Sequence, residues 1–464
     1  MIRKIVPGVS AVAYFTLSLI GVCETAPQSK PLPPGDLRAE TGFYSLVFYY
    51  APDPATEVRA LAEKLVQEYL PGVPISTDAT NPPRAPFVGF LEEMAPLKTY
   101  PVPDAGYFEH AGHGLSAKDA ETMQKTSRAT RLVFVMPKDD AWAKGRSFSE
   151  LAFEFARQSG AYIWDSATRE CFSTVAWKER RVDSWPAKGI PEIPNQITIH
   201  LYRPDDSSPY LRAITLGMEK FALPDVVIDQ LTRSDSASSG SVINLVCQSL
   251  AERPKLTSGT REIFRIPDIS SKSVRDRLSQ DLKSGAKLEI PLALVEGREL
   301  EGDPKNHLVE LDFRHGEGRT VAEKRNSLLS ALWGATDSVQ DTTHTPEVLA
   351  ASARAKARLP ELAKLFVAGL PPGSRLMLKA PFKRDDNGGN EWMWVEVMRW
   401  PESGPVEGIL KNDPFYISAL RAGARVEVKA ADIFDYLFYR KDGSREGNET
   451  GDLISKQSGR VREK

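Results

Sequence analysis

Apolar side chains recur along the chain at two spacings, and these predict alternating strands and helices. The segment Tyr44–Tyr50 is apolar and aromatic throughout, which is typical of a strand buried on both faces. From Val58 to Tyr69 apolar residues return every three or four positions, which predicts an amphipathic helix that ends at Pro71-Gly72. A second apolar strand over Arg131–Met136 precedes a helix that we expect to begin at Ser147. Strand, helix, strand and helix together predict α+β layers.

Four shorter segments extend this first unit. Ala161–Trp164 and Glu170–Thr174 flank a turn and predict a hairpin, and Ile197–Tyr202 and Leu211–Gly217 predict further strands in the same unit or at its edge. We therefore expect an N-terminal α+β domain over residues 41–233.

A polar segment separates this unit from the next. Ser234–Ser241 is rich in Ser, Gly and Asp, a composition typical of a linker. Beyond it a middle α+β domain is expected over residues 242–340. Its predicted elements are a helix over Val242–Leu250, strands over Leu288–Val295 and His307–Phe313, and a helix over Val321–Trp333.

The last unit begins with helices and continues with strands. Thr345 to Gly369 predicts two consecutive helices, the second beginning at Pro360. The long aromatic strand Trp392–Trp400 and the strictly alternating strand Ala424–Lys429 predict a small, curved β-rich domain over residues 345–454. The predicted fold class is α+β and multidomain: N-terminal α/β sandwich modules, then a half-open barrel preceded by helices. The charged tail, residues 455–464, is expected to be disordered.

The N-terminus has the layout of a secretory signal. Arg3 and Lys4 precede an apolar run from Val9 to Val22, and a polar, proline-rich stretch follows Glu24. We expect residues 1–26 to be a cleaved signal peptide and the protein to be periplasmic or in the cell envelope. An uncleaved membrane anchor and a lipoprotein signal at Cys23 are the alternatives. The membrane is a partner only if this segment is retained.

Charge and cysteine content exclude some protein classes. Lys plus Arg total 60 and Asp plus Glu total 62, for a formal net charge of -2, which argues against a nucleic-acid partner. Cys23, Cys171 and Cys247 form no disulfide framework. If Cys23 is removed with the leader, the other two either pair or remain as buried free thiols.

The C-terminal hundred residues carry a family resemblance. Its motifs are Glu391–Val397, Gly408–Pro414, Leu420–Gly423 and Asp432–Tyr436. In order and spacing they resemble the YegJ-like family of bacterial domains of unknown function, over about Thr345 to Leu453. The chain departs from the family pattern at Trp392, where a His or similar residue is usual, and at Tyr436, where a Trp is usual. The resemblance implies a bacterial source and a β-rich module, and it implies no mechanism. Gly217–Asp225 is similar to a segment of modules that accompany this family.

Two histidines form the first candidate site. His110 and His113 lie three residues apart after Glu109, and imidazole nitrogen suits zinc or copper. An exposed, glycine-containing loop is the alternative, since the spacing is not that of a metalloprotease helix and no third ligand is evident nearby.

Three carboxylates form the second candidate site. Glu396 shares one strand face with three tryptophans, which we expect to be core rather than a ligand platform. Asp432 and Asp435 are a candidate acid and base, or simply a helix cap and a solvated turn.

No motif of a nucleophile elbow or a phosphate-binding loop occurs in the sequence, and no cofactor is indicated. The leading hypothesis is therefore an exported envelope protein that is not an enzyme and binds another envelope protein or ligand. One alternative is a hydrolase with a carboxylate-based site between domains, and another is a metal-binding envelope protein.

Overall fold

A computed structural model describes residues 30–54, 57–78, 83–95, 97–186, 189–205, 208, 210–231, 236–280, 282–283, 285–318, 320–334, 344–385, 388–412, 414, 416–440 and 444–457. The predicted signal peptide or anchor over residues 1–26, with Cys23, lies outside these residues. Within them, no helix combines the length and the apolar composition that crossing a bilayer requires.

The first described segment forms backbone hydrogen bonds with residues near the middle of the chain. It contains strand β1 (Gly35–Asp36), which pairs with Lys255–Leu256. Upstream, the backbone N–H of Leu32 donates to Leu294, and downstream the N–H of Ala39 donates to Ala222.

The first sheet has seven strands in the order β3-β4-β6-β2-β7-β8-β5. They are β2 (Thr41–Tyr50), β3 (Ile75–Ser76), β4 (Phe87–Met94), β5 (Gly112–His113), β6 (Arg128–Pro137), β7 (Ala161–Asp165) and β8 (Glu170–Phe172). The associated helices are α1 (Val58–Tyr69), α2 (Phe108–Ala111), α3 (Ala117–Met123), α4 (Ala141–Ser159) and α5 (Thr174–Trp177). Helices α1 and α4 pack on one face, and α2 and α3 pack on the other. Because both faces are covered, β2 is buried from Tyr44 to Tyr50, as the sequence predicted.

Helix α4 begins earlier than its sequence predicted. It starts at Ala141 rather than at Ser147, and it ends at Gly160, whose φ is 71°. Ala141 is buried, and a side chain at Gly145 would meet the Trp185 ring at 3.1 Å. The extra turns are therefore stabilised by close packing. The capping pattern at Ser147 in the sequence does not reveal this packing.

The second sheet has six strands in the order β13-β14-β15-β11-β10-β9. Its strands are β9 (Thr198–Tyr202), β10 (Leu211–Leu216), β11 (Asp225–Leu231), β13 (Glu262–Arg265), β14 (Glu289–Glu296) and β15 (Leu308–Asp312), with β12 (Lys255–Leu256) as the partner of β1. Helices α6 (Ser236–Glu252), α7 (Lys272–Ser279) and α8 (Val321–Trp333) contribute to its core.

Two expectations about this region were wrong. The strands β9 and β10 belong to the second sheet rather than to the first. The segment predicted as a linker is helical from Ser236, because Ser239 and Val242 are buried beneath the second sheet. Sheet pairing thus crosses the predicted boundary near residue 233, while the domain limits as such stay a prediction.

The third sheet is antiparallel, with the order β19-β18-β17-β16-β20-β21. Its strands are β16 (Arg375–Lys383), β17 (Asn390–Arg399), β18 (Val406–Leu410), β19 (Arg425–Val428), β20 (Asp435–Tyr439) and β21 (Arg445–Gly447). Helix α9 (Pro346–Val367) packs on one face, and α10 (Glu449–Gln457) follows β21. The sheet is open, so the predicted half-open barrel is an open sheet with β19 and β21 at its edges.

Helix α9 is one helix, not the two that Pro360 predicted. Its buried stripe is continuous through the proline, and it consists of Val348, Ala351, Ser352, Ala355, Leu359 and Leu362. Packing on the sheet therefore outweighs the missing backbone donor. Helix α10 includes the first three residues of the tail expected to be disordered, and the remaining tail lies outside the described residues.

The α+β class with several sheets is confirmed. Cys171 and Cys247 are both free and buried, so they do not form a disulfide with each other. Burial raises the pKa of the Cys171 thiol to about 12, and it raises the pKa of Cys247 well above its ordinary value. Both thiols are therefore protonated and inert at neutral pH.

Candidate functional site

The third sheet presents aromatic side chains on the face opposite α9. We call this side the outer face. Met393, Val395 and Val397 point into the core beneath α9, so the alternate residues of β17 point outward. Trp392 and Trp394 are half-buried on the outer face, and Trp400 packs half-buried against the core. The prediction that all three tryptophans are core was therefore wrong for Trp392 and Trp394.

Three rings pack together at one end of the outer face. The His344 and Phe434 rings stack with centroids 4.5 Å apart, and Trp392 lies 4.5 Å from Phe434 and 5.3 Å from His344. Burial lowers the pKa of His344, and the nearby charge of Lys379 lowers it further. This end of the face therefore presents a neutral imidazole at pH 7.

Lys379 lies at the centre of the outer face. It is directly opposite Trp394 on β17 and Asp435 on β20, and its Nζ is 5.9 Å from the centre of the Trp394 ring. In the part of the chain that the structure describes, the ammonium has no hydrogen-bond acceptor and no ion-pair partner. Burial lowers the pKa of Lys379, and Asp435 opposes this shift. A desolvated cation without acceptors is costly unless something outside the chain pairs with it.

The structure does not bring the three candidate carboxylates together. Glu396 is on the outer face and forms an ion pair with Lys411, Nζ to Oε2 at 3.0 Å. Asp432 is exposed in the 3-10 turn Ala430–Asp432. Strand β16 separates Glu396 from Asp435, so their strands are about 10 Å apart, which is wider than the roughly 4–6 Å at which carboxylates couple strongly.

Asp435 has a structural role. Its side chain is fully buried, and Oδ2 accepts hydrogen bonds from the N–H of Thr450 at 2.9 Å and its hydroxyl at 2.6 Å. Oδ1 accepts from the N–H of Tyr436 at 2.8 Å. Asp435 thus stabilises the start of α10, and an acid/base role for it stays a prediction that this geometry does not favour.

The two histidines predicted as metal ligands differ in environment. His110 is exposed on α2. His113 stacks on Phe172, and its Nε2 lies 2.7 Å from Glu170 Oε1. Its Nδ1 lies 2.9 Å from Nη1 of Arg180. Because a guanidinium only donates, Nδ1 must accept and Nε2–H must donate to the carboxylate. Both ring nitrogens are therefore engaged within the chain.

No group of three or more metal-binding side chains occurs within the described ranges. Metal binding by His110 and His113 stays a prediction, and it would require Arg180 to move away from His113.

Glu170 also belongs to a buried ionic network that sequence analysis missed. Arg181 donates to Glu170 through Nη2 at 2.7 Å and to Asp165 through Nε at 3.3 Å. Lys220 donates to Asp165 at 2.9 Å and to the carbonyl of Gln196 at 2.6 Å. The side chains of Arg181, Asp165 and Lys220 are fully buried. This network joins β7 and β8 of the first sheet to the turn that precedes β11 of the second.

The pKa values of this network follow from burial and pairing. Burial acts to raise the pKa of Glu170, but the hydrogen bond from His113 and the charge of Arg181 outweigh it and hold the pKa well below its usual range. Burial lowers the pKa of Lys220 to about 8, although Asp165 opposes the shift. Burial, with the charges of Asp225 and Asp165, raises the pKa of Glu219 to about 7. Clusters of shifted pKa values occur at functional sites and also in structural networks. Here the cations are paired and inaccessible, which is typical of the structural kind.

The C-terminal region is the part of the chain that matches a known family. Residues 367–461 match the family described as "Uncharacterized protein conserved in bacteria (DUF2314)". The DUF2314 region thus contains the whole third sheet and α10, and the resemblance found in the sequence is confirmed there. No curated protein and no solved structure matches the chain.

Proposed function

We propose that this chain is an exported bacterial envelope protein that binds a ligand or another envelope protein through the outer face of the DUF2314 region, without catalysing a reaction. The observation that carries the proposal is Lys379, a half-buried residue whose ammonium has no acceptor among the described residues and lies beside the half-buried ring of Trp394. Leaving a desolvated cation unpaired costs folding free energy, and a bound anion would recover it.

The N-terminal residues support the export part of the proposal. Arg3 and Lys4 precede an apolar run, and Gly21 and Cys23 are small enough for the last positions before a cleavage site. In a fractionated bacterial culture we expect the protein in the periplasmic or envelope fraction, with a mature N-terminus near Glu24. A cytosolic protein that retains Met1 would contradict this part.

Binding through the outer face is tested with photo-crosslinking in intact cells. A photoreactive amino acid replaces Met377, whose strand position places it on the outer face between Arg375 and Lys379. We expect a discrete crosslinked product that is lost when Trp394→Ala is added and kept when Lys364→Met is added. Lys364 is exposed on α9, on the opposite side of the sheet, so its variant controls for a substitution away from the outer face. Crosslinking that is indifferent to Trp394→Ala would refute the face as the binding surface.

A further inference from the structure

Among the described residues of the outer face, the cations Lys379 and Arg375 form no ion pair, although buried Asp435 lies opposite Lys379. Lys379 and Arg375 lie four residues apart on β16, so both point outward and are separated by about 13 Å along the strand. Arg375 lies over the Tyr439 ring, 5.5 Å from its centre, and it forms no ion pair within the described ranges. The nearby Lys411 is already paired with Glu396. A ligand for this face therefore carries more than one negative charge.

The aromatic residues add a second requirement. Trp394 is beside Lys379, and Trp392 follows two positions away on the same face, about 7 Å along β17. Half-buried indole rings bury flat, apolar surface and leave one polar edge at the water interface. A ligand that satisfies both requirements has rings with an apolar face of C–H groups and carboxylates attached to them.

The position of these residues within the sheet argues against an extended peptide as the ligand. Strands β16 and β17 each have hydrogen-bonded neighbours on both sides, so neither offers a free backbone edge. Extended peptides bind sheets chiefly by pairing with such an edge. A sugar chain requires no backbone pairing, since its ring faces pack on indoles and its hydroxyls exchange hydrogen bonds with groups such as the Glu396–Lys411 pair.

We propose that the outer face binds an acidic polysaccharide, with a sugar ring packed on Trp394 and its carboxylate paired with Lys379. Arg375 pairs with a second carboxylate further along the same chain. This inference rests on the proposed function, because it names the ligand class of the same face.

The test is titration calorimetry of the full mature chain with three probes of equal length. These are tetragalacturonic acid, the neutral sugar cellotetraose and the acidic peptide tetraglutamate. We expect saturable binding of tetragalacturonic acid and at least tenfold weaker binding of the other two. The binding should weaken as salt is added, because charge pairing at a partly exposed face is screened.

Variants separate the two parts of the site. Lys379→Met is expected to weaken tetragalacturonic acid binding at least tenfold, and Lys379→Arg to restore most of it. Trp394→Ala is expected to weaken binding of both sugar probes. Lys364→Met is the matched control and should change neither, and thermal unfolding verifies that each variant is folded.

Three results would overturn the inference. One is an affinity for tetraglutamate equal to that for tetragalacturonic acid, which would show that the face binds acidic chains whether or not they are sugars. Another is an unchanged affinity in a folded Lys379→Met variant. The third is no binding of tetragalacturonic acid at all. In each case the crosslinking test reports independently whether the outer face binds anything in the cell, so failure of the ligand class and failure of the proposed function are distinguishable.

Discussion

Lys220 links the first sheet to the turn that precedes β11 of the second sheet. Its ammonium is buried, pairs with Asp165 and lies 4.9 Å from the centre of the Tyr44 ring. Charges buried in this way are costly, and they are retained where partners surround them. Removing one partner leaves the others uncompensated.

Lys220→Met tests the importance of this network. We expect the free energy of unfolding to fall by about 3 kcal/mol, because Asp165 loses a partner in a buried site. Urea unfolding followed by circular dichroism measures this. The matched control is Lys178→Met, which removes an exposed pair with Asp183 and should cost less than about 1 kcal/mol. Equal losses in the two variants would contradict a special role for the buried pair.

Glu219 predicts a specific pH dependence. Burial and the neighbouring carboxylates raise the pKa of Glu219 to about 7 in the folded chain, above its ordinary value of 4.5. Between these values the folded chain binds more protons than the unfolded chain, so stability falls as pH rises through this window. Relative to the Glu219→Gln variant, the wild-type chain should lose on the order of 2–3 kcal/mol of unfolding free energy as the pH rises from 4.5 to 7.5.

Urea unfolding of both proteins at several pH values measures that difference. The control is Glu179→Gln, which removes an exposed carboxylate. If the stability difference between wild type and Glu179→Gln changes with pH in the same way, the effect does not come from burial. If the stability difference between wild type and Glu219→Gln does not change with pH, the raised pKa of Glu219 is refuted.

At the scale of elements, sequence periodicity predicted which segments are helices and strands better than it predicted which side they bury. In β17 both faces carry large apolar residues, so alternation alone does not say which one meets α9. Met393, Val395 and Val397 pack in the core beneath α9, whereas Trp392 and Trp394 lie on the outer face. This arrangement depends on a helix that is distant in sequence from β17.

Helix α9 gives a test at this scale. Pro360 is in its interior, where it removes one backbone donor, whereas Pro346 is at its start, where the donor would be unpaired anyway. Pro360→Ala is expected to raise the free energy of unfolding of the unit formed by α9 and the third sheet by about 1–3 kcal/mol. Pro346→Ala should change it by less than about 1 kcal/mol or lower it slightly. Differential scanning calorimetry measures both, and destabilisation by Pro360→Ala would indicate that the proline shapes the helix.

At the scale of the whole molecule, the first two sheets are joined by a close backbone contact. A Cβ on Gly42 of β2 would lie 2.9 Å from the carbonyl oxygen of Lys220 and 3.3 Å from the N–H nitrogen of Ala222. The turn over Met218–Phe221 is flanked by two residues with a left-handed backbone conformation, Gly217 and Ala222. Only glycine at position 42 permits this approach.

Gly42→Ala is expected to separate the turn from β2 and to lower the free energy of unfolding by about 1–3 kcal/mol, since a rigid backbone must shift. Hydrogen exchange should show faster exchange of the Ala39 N–H, which donates to Ala222. Gly240→Ala is the control: its Cβ would meet nothing within 4 Å inside α6, so it should stabilise by about 0.5–1 kcal/mol. A Gly42→Ala variant that is as stable as wild type would contradict the contact.

The amino-acid sequence alone determined the α+β class, the doubly buried strand β2, the helix α1 and the family resemblance of the last hundred residues, because these depend on local periodicity and on motifs that are read directly from the sequence. Tertiary structure alone decided the rest. The strands β9 and β10 belong to the second sheet, and the residues from Ser236 to Ser241, predicted as a linker, extend the predicted helix of the middle unit. Asp165, Arg181 and Lys220 form one ionic network, and Lys379 lies beside the Trp394 ring. Each of these depends on contacts between segments that are far apart in the chain, and the free energy of such contacts has no periodic signature in the sequence.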